Sequence, residues 1–254
     1  MKLAAQMFTI RDFAKTEAEI GEALKKIKAA GYEGVQISGI GKYRPEWMAD
    51  TVKELGLKVC ACHIPLPRLV DDLDSVMAEY RAYGTEYIGL GYYAMASRED
   101  CDGLIKTITP IVQKLHDSGF KFLYHNHAHE YFKLSNGATY MQYIMENMDS
   151  KKFGLLLDFY WLHRAGIDCV EYAKQHSDFL EVVHFKDMLP PDKDKPENFA
   201  EIFCGNMNYG AIYNTCKEIG VKWVAVEQDI CSGNPFESLA ISAKNLKDRG
   251  MFVK

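Results

Sequence analysis

The sequence has no run of roughly 18 or more apolar residues, so no bilayer-spanning helix is expected. It has no C-x-x-C pair: its 7 cysteines, Cys60, Cys62, Cys101, Cys169, Cys204, Cys216 and Cys231, are scattered through mostly apolar surroundings. That spacing argues against a thiolate zinc site and suits reduced core thiols. Positive charge is not in excess. With 30 Lys+Arg against 35 Asp+Glu the formal net charge is −5, which offers no basic field to a phosphate backbone and makes nucleic acid an unexpected partner. Proline, glycine and serine never gather into a linker, so residues 1–254 read as one continuous domain. The opening MKLAAQMFTIRD meets an Arg-Asp pair too early for a secretory leader, and a cytoplasmic location is the expectation.

What is present is apolar material, 48% of 254 residues, enough for a sizeable core. It is laid out as short β-rich runs alternating with longer amphipathic ones. Thr16 and Glu19 predict a capping box, Ile20, Ala23, Leu24, Ile27 and Ala30 share one helical face, and Gly31 predicts the stop. Strands are predicted at 2–10, 32–38, 57–63, 86–90, 121–125, 153–158, 180–185 and 221–227. A helix-like segment follows each, among them 45–55 and 235–249.

Eight such units, averaging about 32 residues, match the size at which eight parallel strands close into a ring. An open doubly wound sheet would carry a glycine-rich turn after its first strand, and Phe8-Thr9-Ile10-Arg11-Asp12 contains no glycine. The expected fold class is therefore α/β, a TIM (β/α)8 barrel.

In such a barrel the chemistry sits at the C-terminal ends of the strands. Collected there are His63, the run from Tyr124 to Glu130, Asp158, His184 with Lys186 and Asp187, and Glu227 with Gln228 and Asp229. Each has an ordinary structural explanation when taken alone. Asp158 can organise the next loop, His184 can be a satisfied core histidine, Glu227 can pair with Lys186, and His127 or His129 can line a polar loop. Together they are harder to explain, because converging carboxylates repel and lose hydration at a cost of several kcal/mol each when buried. A divalent cation offsets that cost. Carboxylates with imidazole suit Mn²⁺, Mg²⁺, Co²⁺, Fe²⁺ or Zn²⁺. Strand alternation puts Lys186 on the face of His184 and Asp229 on the face of Glu227, where both can sit above the metal.

The runs Tyr124-His125-Asn126-His127 with Glu130, Gly154 to Trp161, Val183-His184-Phe185-Lys186-Asp187, Gly205-Asn206-Met207-Asn208-Tyr209 and Val226-Glu227-Gln228-Asp229 together resemble the xylose isomerase-like TIM-barrel family of sugar phosphate isomerases and epimerases. The resemblance spans nearly the whole chain. It implies one divalent metal ion at the ends of strands 5 to 8, with Asp158, His184 and Glu227 matching the ligands on strands 6, 7 and 8. Strand 5 departs from the pattern. Many relatives end it in Glu, whereas here it ends in His125-Asn126-His127 and the nearest carboxylate is Glu130. Glu130 preserves the charge count and is the expected fourth ligand, with His127 and His125 as the alternatives. The resemblance also implies two glutamates that carry a proton on opposite faces of the substrate. A histidine in place of one would change how that task is shared.

The expected activity is isomerisation or epimerisation of a ketose or keto sugar through a metal-stabilised enediolate. Glu227 and one of His125, His127 and Glu130 would act as base and acid, and Lys186 or His63 would hold a substrate oxygen. Tyr92 and Trp161, with Phe8, Tyr43 and Tyr160, offer aromatic faces to a sugar. No glycine-rich cradle or Arg-Lys cluster is evident, which favours an unphosphorylated sugar. The rival enzymatic reading is a metal-dependent lyase, dehydratase or C-glycoside-cleaving enzyme on a 3-keto sugar. The rival from another class is a non-catalytic sugar-binding barrel. An endonuclease-like member would need more rim histidines and acids and a basic face. Homo-oligomers are common among barrels, but the sequence marks no interface.

Overall fold

The capping box forms as its residue types require: Thr16 Oγ1 accepts from the Glu19 N–H at 3.3 Å, and Glu19 Oε2 accepts from the Thr16 N–H at 2.9 Å. The helix Glu17–Ala29 follows, burying Ile20, Ala23, Leu24 and Ile27. Gly31, at φ 91°, then turns the chain into the next strand. The same grammar repeats along the computed structural model, which describes residues 1–190, 193–194 and 197–253.

Eight parallel strands form a barrel with helices between them. They are β1 (Lys2–Gln6), β2 (Gly34–Ile37), β3 (Lys58–Cys62), β4 (Tyr87–Leu90), β5 (Lys121–His125), β6 (Phe153–Asp158), β7 (Leu180–Phe185) and β8 (Trp223–Val226). Their order is β3-β2-β1-β8-β7-β6-β5-β4. The ring closes between β3 and β4 through a single parallel bridge from His63 to Gly89, with the Ile64 N–H on the Gly89 carbonyl at 2.8 Å. Glycine is needed at 89 because a Cβ there would sit 2.6 Å from the Cys62 carbonyl oxygen. Among the described residues, no helix is long and apolar enough to cross a membrane.

Two boundaries differ from expectation for identifiable reasons. The first strand stops at Gln6, because the Gln6 side chain accepts the Phe8 N–H and starts a 3₁₀ turn over Met7–Phe13. After β7 the chain makes a small antiparallel ribbon, Asp187–Met188 with Phe199–Ala200, that no alternating pattern announced.

Side-chain alternation divides the core in two. Ala4, Ala61, Leu123, Leu156, Val182 and Ala225 belong to a small cluster inside the ring, while a larger cluster lies between strands and helices. Because the period is two, the residue two positions beyond each inner apolar residue also points inward. Those residues are Gln6, His63, His125, Asp158, His184 and Glu227, so one apolar layer carries a polar layer directly above it.

Candidate metal centre

The strand register brings four of these side chains together. Asp158 lies opposite His184 across β6 and β7, and His184 lies opposite Ala225, two residues before Glu227. One donor atom each from His125, Asp158, His184 and Glu227 falls within 4.8 Å of the others, and all four residues are buried.

The hydrogen bonds around the group fix which atoms face inward. His125 Nδ1 is 3.1 Å from the Gly91 carbonyl, which can only accept, so Nδ1 carries the ring proton and the Nε2 lone pair faces Asp158 Oδ2 at 3.4 Å. His184 Nε2 lies 2.8 Å from Gln36 Oε1, which likewise only accepts, so Nδ1 presents its lone pair to Glu227 Oε2 at 3.0 Å and Asp158 Oδ2 at 3.6 Å. The Gln36 amide is oriented from its other end as well, since its Nε2 donates to His63 Nε2 at 2.8 Å. Asp158 divides its two oxygens. Oδ1 caps the helix Phe159–Arg164 by accepting the Trp161 N–H at 3.2 Å, and Oδ2 points into the group. One carboxylate therefore both organises the following loop and keeps an oxygen facing the other three donors. Asn126 holds that residue's backbone in place, accepting the Asp158 N–H at 2.8 Å.

Lone pairs that converge in a buried space are what a cation requires. Neither His184 Nδ1 nor Glu227 Oε2 makes an aligned hydrogen bond, although both are buried. The Lys186 ammonium partly meets that need, at 2.9 Å from Asp158 Oδ2, 2.8 Å from Glu227 Oε2 and 2.9 Å from Asp229 Oδ2. One positive charge stands against three carboxylates, so the donor set still suits a divalent ion. Charges shift accordingly. Burial favours the neutral forms of Asp158 and Glu227, but Lys186 and the histidines outweigh it and hold both carboxyls well below their usual range. Burial likewise opposes the charge on Lys186, and Asp158, Glu227 and Asp229 reverse that effect, holding the ammonium well above its ordinary value.

The expected fourth ligand, Glu130, does not join this group, and His125 occupies the strand 5 position. Both Glu130 oxygens are already engaged, Oε1 by the Tyr124 hydroxyl at 2.9 Å and Oε2 by the His127 N–H at 2.8 Å. Glu130 instead belongs to a neighbouring group with His127 and His129, and burial pushes its carboxyl up. Asp229 offsets the Lys186 ammonium, so the group keeps the two negative charges of Asp158 and Glu227 and not the three that Glu130 would give. His127 keeps the parity of His125 but lies two residues beyond the end of β5, in the loop. Its ring stands edge-on to His125 at 4.8 Å and near Trp161 at 5.2 Å, and burial pushes its pKa down to about 2.

The other candidates surround the centre. His63 packs at 5.0 Å from His125 and is kept neutral by burial, with His125 and His184 adding to the effect. Trp161 lies under the Lys186 ammonium at 5.4 Å, and Tyr92, 58% exposed, stands at the cavity wall beside His127. Gln36 and Asn126 were not singled out as functional from the sequence. The detectable signal for Gln36 was a polar side chain midway along an otherwise apolar strand. A cavity of about 1040 Å³ opens above the group, floored by His63, His125, His127, Glu227 and Asp229.

Residues 24–248 match the family described as xylose isomerase-like TIM barrel. No curated protein matches the sequence. Among solved structures, a sugar phosphate isomerase/epimerase from Parabacteroides distasonis is 19% identical with a TM-score of 0.83, covering 100% of both chains. The probable 3-DHS dehydratase from Bacillus anthracis is 15% identical with a TM-score of 0.78, covering 98% of this chain and 100% of the other. The IOLI protein with a zinc atom is 16% identical with a TM-score of 0.74, covering 98% and 97%. At such identities these structures share a fold with this protein. The sequence match over most of its length carries the closer relationship: the chain belongs to the xylose isomerase-like TIM barrel family.

Proposed function

We propose that the protein is an isomerase or epimerase of a keto sugar, working with one divalent cation held by His125, Asp158, His184 and Glu227. The observation that carries this reading is the convergence of four buried donor atoms within 4.8 Å, their lone pairs aimed inward by Gln36 and Gly91. Bound there, the cation would supply positive charge that makes a proton beside a substrate carbonyl acidic. The side chains supply the rest. Glu227, kept ionised beside Lys186, is placed to take that proton. His125, contributed by β5 from across the ring, would give its inward lone pair, on Nε2, to the cation, so the group that can return a proton is the Lys186 ammonium beside both carboxylates. Lys186, anchored by Asp229, can hold a substrate oxygen. Return to the same carbon inverts it, and return to the neighbouring carbon isomerises the sugar.

A second reading is favoured by one specific feature. With His125 in the strand 5 position and the Lys186 ammonium beside Glu227, a proton removed by Glu227 can be balanced by protonation of a departing oxygen, which is elimination. The dehydratase among the similar structures is compatible with this outcome. Metal analysis of the purified protein, followed by NMR over a panel of ketoses in deuterated water, tests both readings. Mass-conserving deuterium incorporation supports isomerisation, and a new vinylic signal supports elimination. Absence of bound metal under manganese saturation would sink both.

A further inference from the structure

We infer that the substrate of this site is a sugar bearing a bulky, flat, apolar substituent, received by a groove next to the reacting end; this rests on the sugar-directed reading above. The cavity measures about 1040 Å³, at the top of the range for pockets that enclose drug-sized ligands, whereas a lone monosaccharide has about a dozen heavy atoms. Its two halves differ in chemistry. The floor is polar, as described. The outer half runs between the segment after β2 and the segment after β3, and is lined by Ile40, Tyr43, Pro65, Leu66, Pro67 and Tyr92.

Two of the polar groups along this outer half are committed elsewhere. The Tyr43 hydroxyl donates to Glu79 Oε1 at 3.0 Å, and the Arg68 guanidinium pairs with Glu79 Oε2. What they present to the groove is a ring face and a methylene stem. Hydroxyls of a second polar ring buried against Pro65, Leu66 and Pro67 would lose water without gaining partners. An aromatic or alicyclic substituent loses nothing there and gains contact with Tyr43 and Tyr92. The alternative, an anionic substituent, would have to rely on Lys42, an exposed cation at the rim.

The test compares three ligands that share one sugar: methyl β-D-glucopyranoside, phenyl β-D-glucopyranoside and D-glucose 6-phosphate, titrated calorimetrically into the full chain with and without Mn²⁺. The phenyl glycoside is expected to bind at least about tenfold more tightly than the methyl glycoside. Leu66→Glu should remove that preference and leave methyl glycoside binding unchanged. Tyr92→Ala, at an exposed position where folding is not at stake, should weaken it in the same direction. Equal affinities, a preference unmoved by either variant, tighter binding of the phosphate, or no binding of the phenyl glycoside would each overturn the inference. The two readings fail separately. Loss of metal-dependent exchange with the phenyl preference intact counts against the isomerase reading alone, and normal exchange without the preference counts against the groove alone.

Discussion

His184 Nδ1 and Glu227 Oε2 lie 3.0 Å apart in the buried floor of the cavity, and neither makes an aligned hydrogen bond, although the Lys186 ammonium is 2.8 Å from the glutamate oxygen. Two acceptors in that arrangement are tolerated only when positive charge is close.

Asp158 performs two jobs that one substitution separates. Asparagine caps a helix about as well as aspartate, so Asp158→Asn should keep the helix Phe159–Arg164, and the metal-free protein should lose only what the buried pairing with Lys186 contributes, on the order of 3 kcal/mol. Manganese affinity should nevertheless fall by more than about 100-fold. Thermal unfolding and calorimetric titration of the same preparation read the two effects independently.

Gln36 touches no donor site directly, yet it fixes the tautomer of His184. Replacing it with methionine, which keeps the volume and removes the amide, should lower metal affinity by about 10- to 100-fold. An unchanged titration would show that His184 is oriented by other contacts.

Lys186 competes with a cation for the same carboxylates. In Lys186→Met the metal-free protein should lose about 3–5 kcal/mol of stability, because buried carboxylates are left without a counter-charge. Metal should then bind more tightly than to the parent and restore the unfolding temperature, while deuterium exchange into substrate is lost. Weaker metal binding in the variant would contradict the competition.

Acid should release the metal. Burial lowers the basicity of His184, but the Glu227 and Asp158 carboxylates outweigh it and raise its pKa. A raised value means that the folded, metal-free protein gains stability from the proton below the unfolded pKa of about 6.5, and loses that gain as pH rises through the raised value. Metal needs the Nδ1 lone pair, so binding expels the proton and affinity falls as pH falls through the same range. Titrations in buffers of different ionisation enthalpy should show proton release that grows as pH falls through the raised His184 value. His127, with its pKa near 2, stays neutral throughout and contributes nothing to this dependence.

Asp187 is a structural neighbour of the site. Its carboxylate accepts the N–H groups of Met188 at 2.8 Å, Phe203 at 2.9 Å, and Gly205 and Met207 at 3.1 Å. A Cβ at Gly205 would lie 2.4 Å from Asp187 Oδ1, so only glycine lets the loop close on that carboxylate. Asp187→Ala should destabilise the fold by on the order of 3 kcal/mol in denaturant unfolding, since four donors lose their acceptor together.

The parts of the site that could be read from the sequence are those where strand parity is unambiguous. Val182, His184 and Lys186 share one face and Ala225, Glu227 and Asp229 another, and all lie where alternation puts them. The same rule, carried from Leu123 to His125, points to the strand 5 residue that lies with the other three donors. Charge counting pointed to Glu130 instead, because a carboxylate's prior engagement by a tyrosine hydroxyl and a backbone N–H leaves no trace in spacing. Gln36 escaped for a related reason, since its function lies in hydrogen bonds to residues 27 and 148 positions away. The ribbon after β7 was invisible because two-residue strands carry no period.

The closing bridge between His63 and Gly89 gives the barrel a seam, and the seam's position has a mechanical consequence. The side chains of the four-donor group sit on four consecutive staves, β5 to β8, each paired with the next over several residues, while the Pro65–Pro67 wall springs from the stave at the joint. Like a split ring, the molecule is held least firmly at its opening, so a guest pressing on that wall would strain the joint before it strained the arc that keeps the donor atoms together.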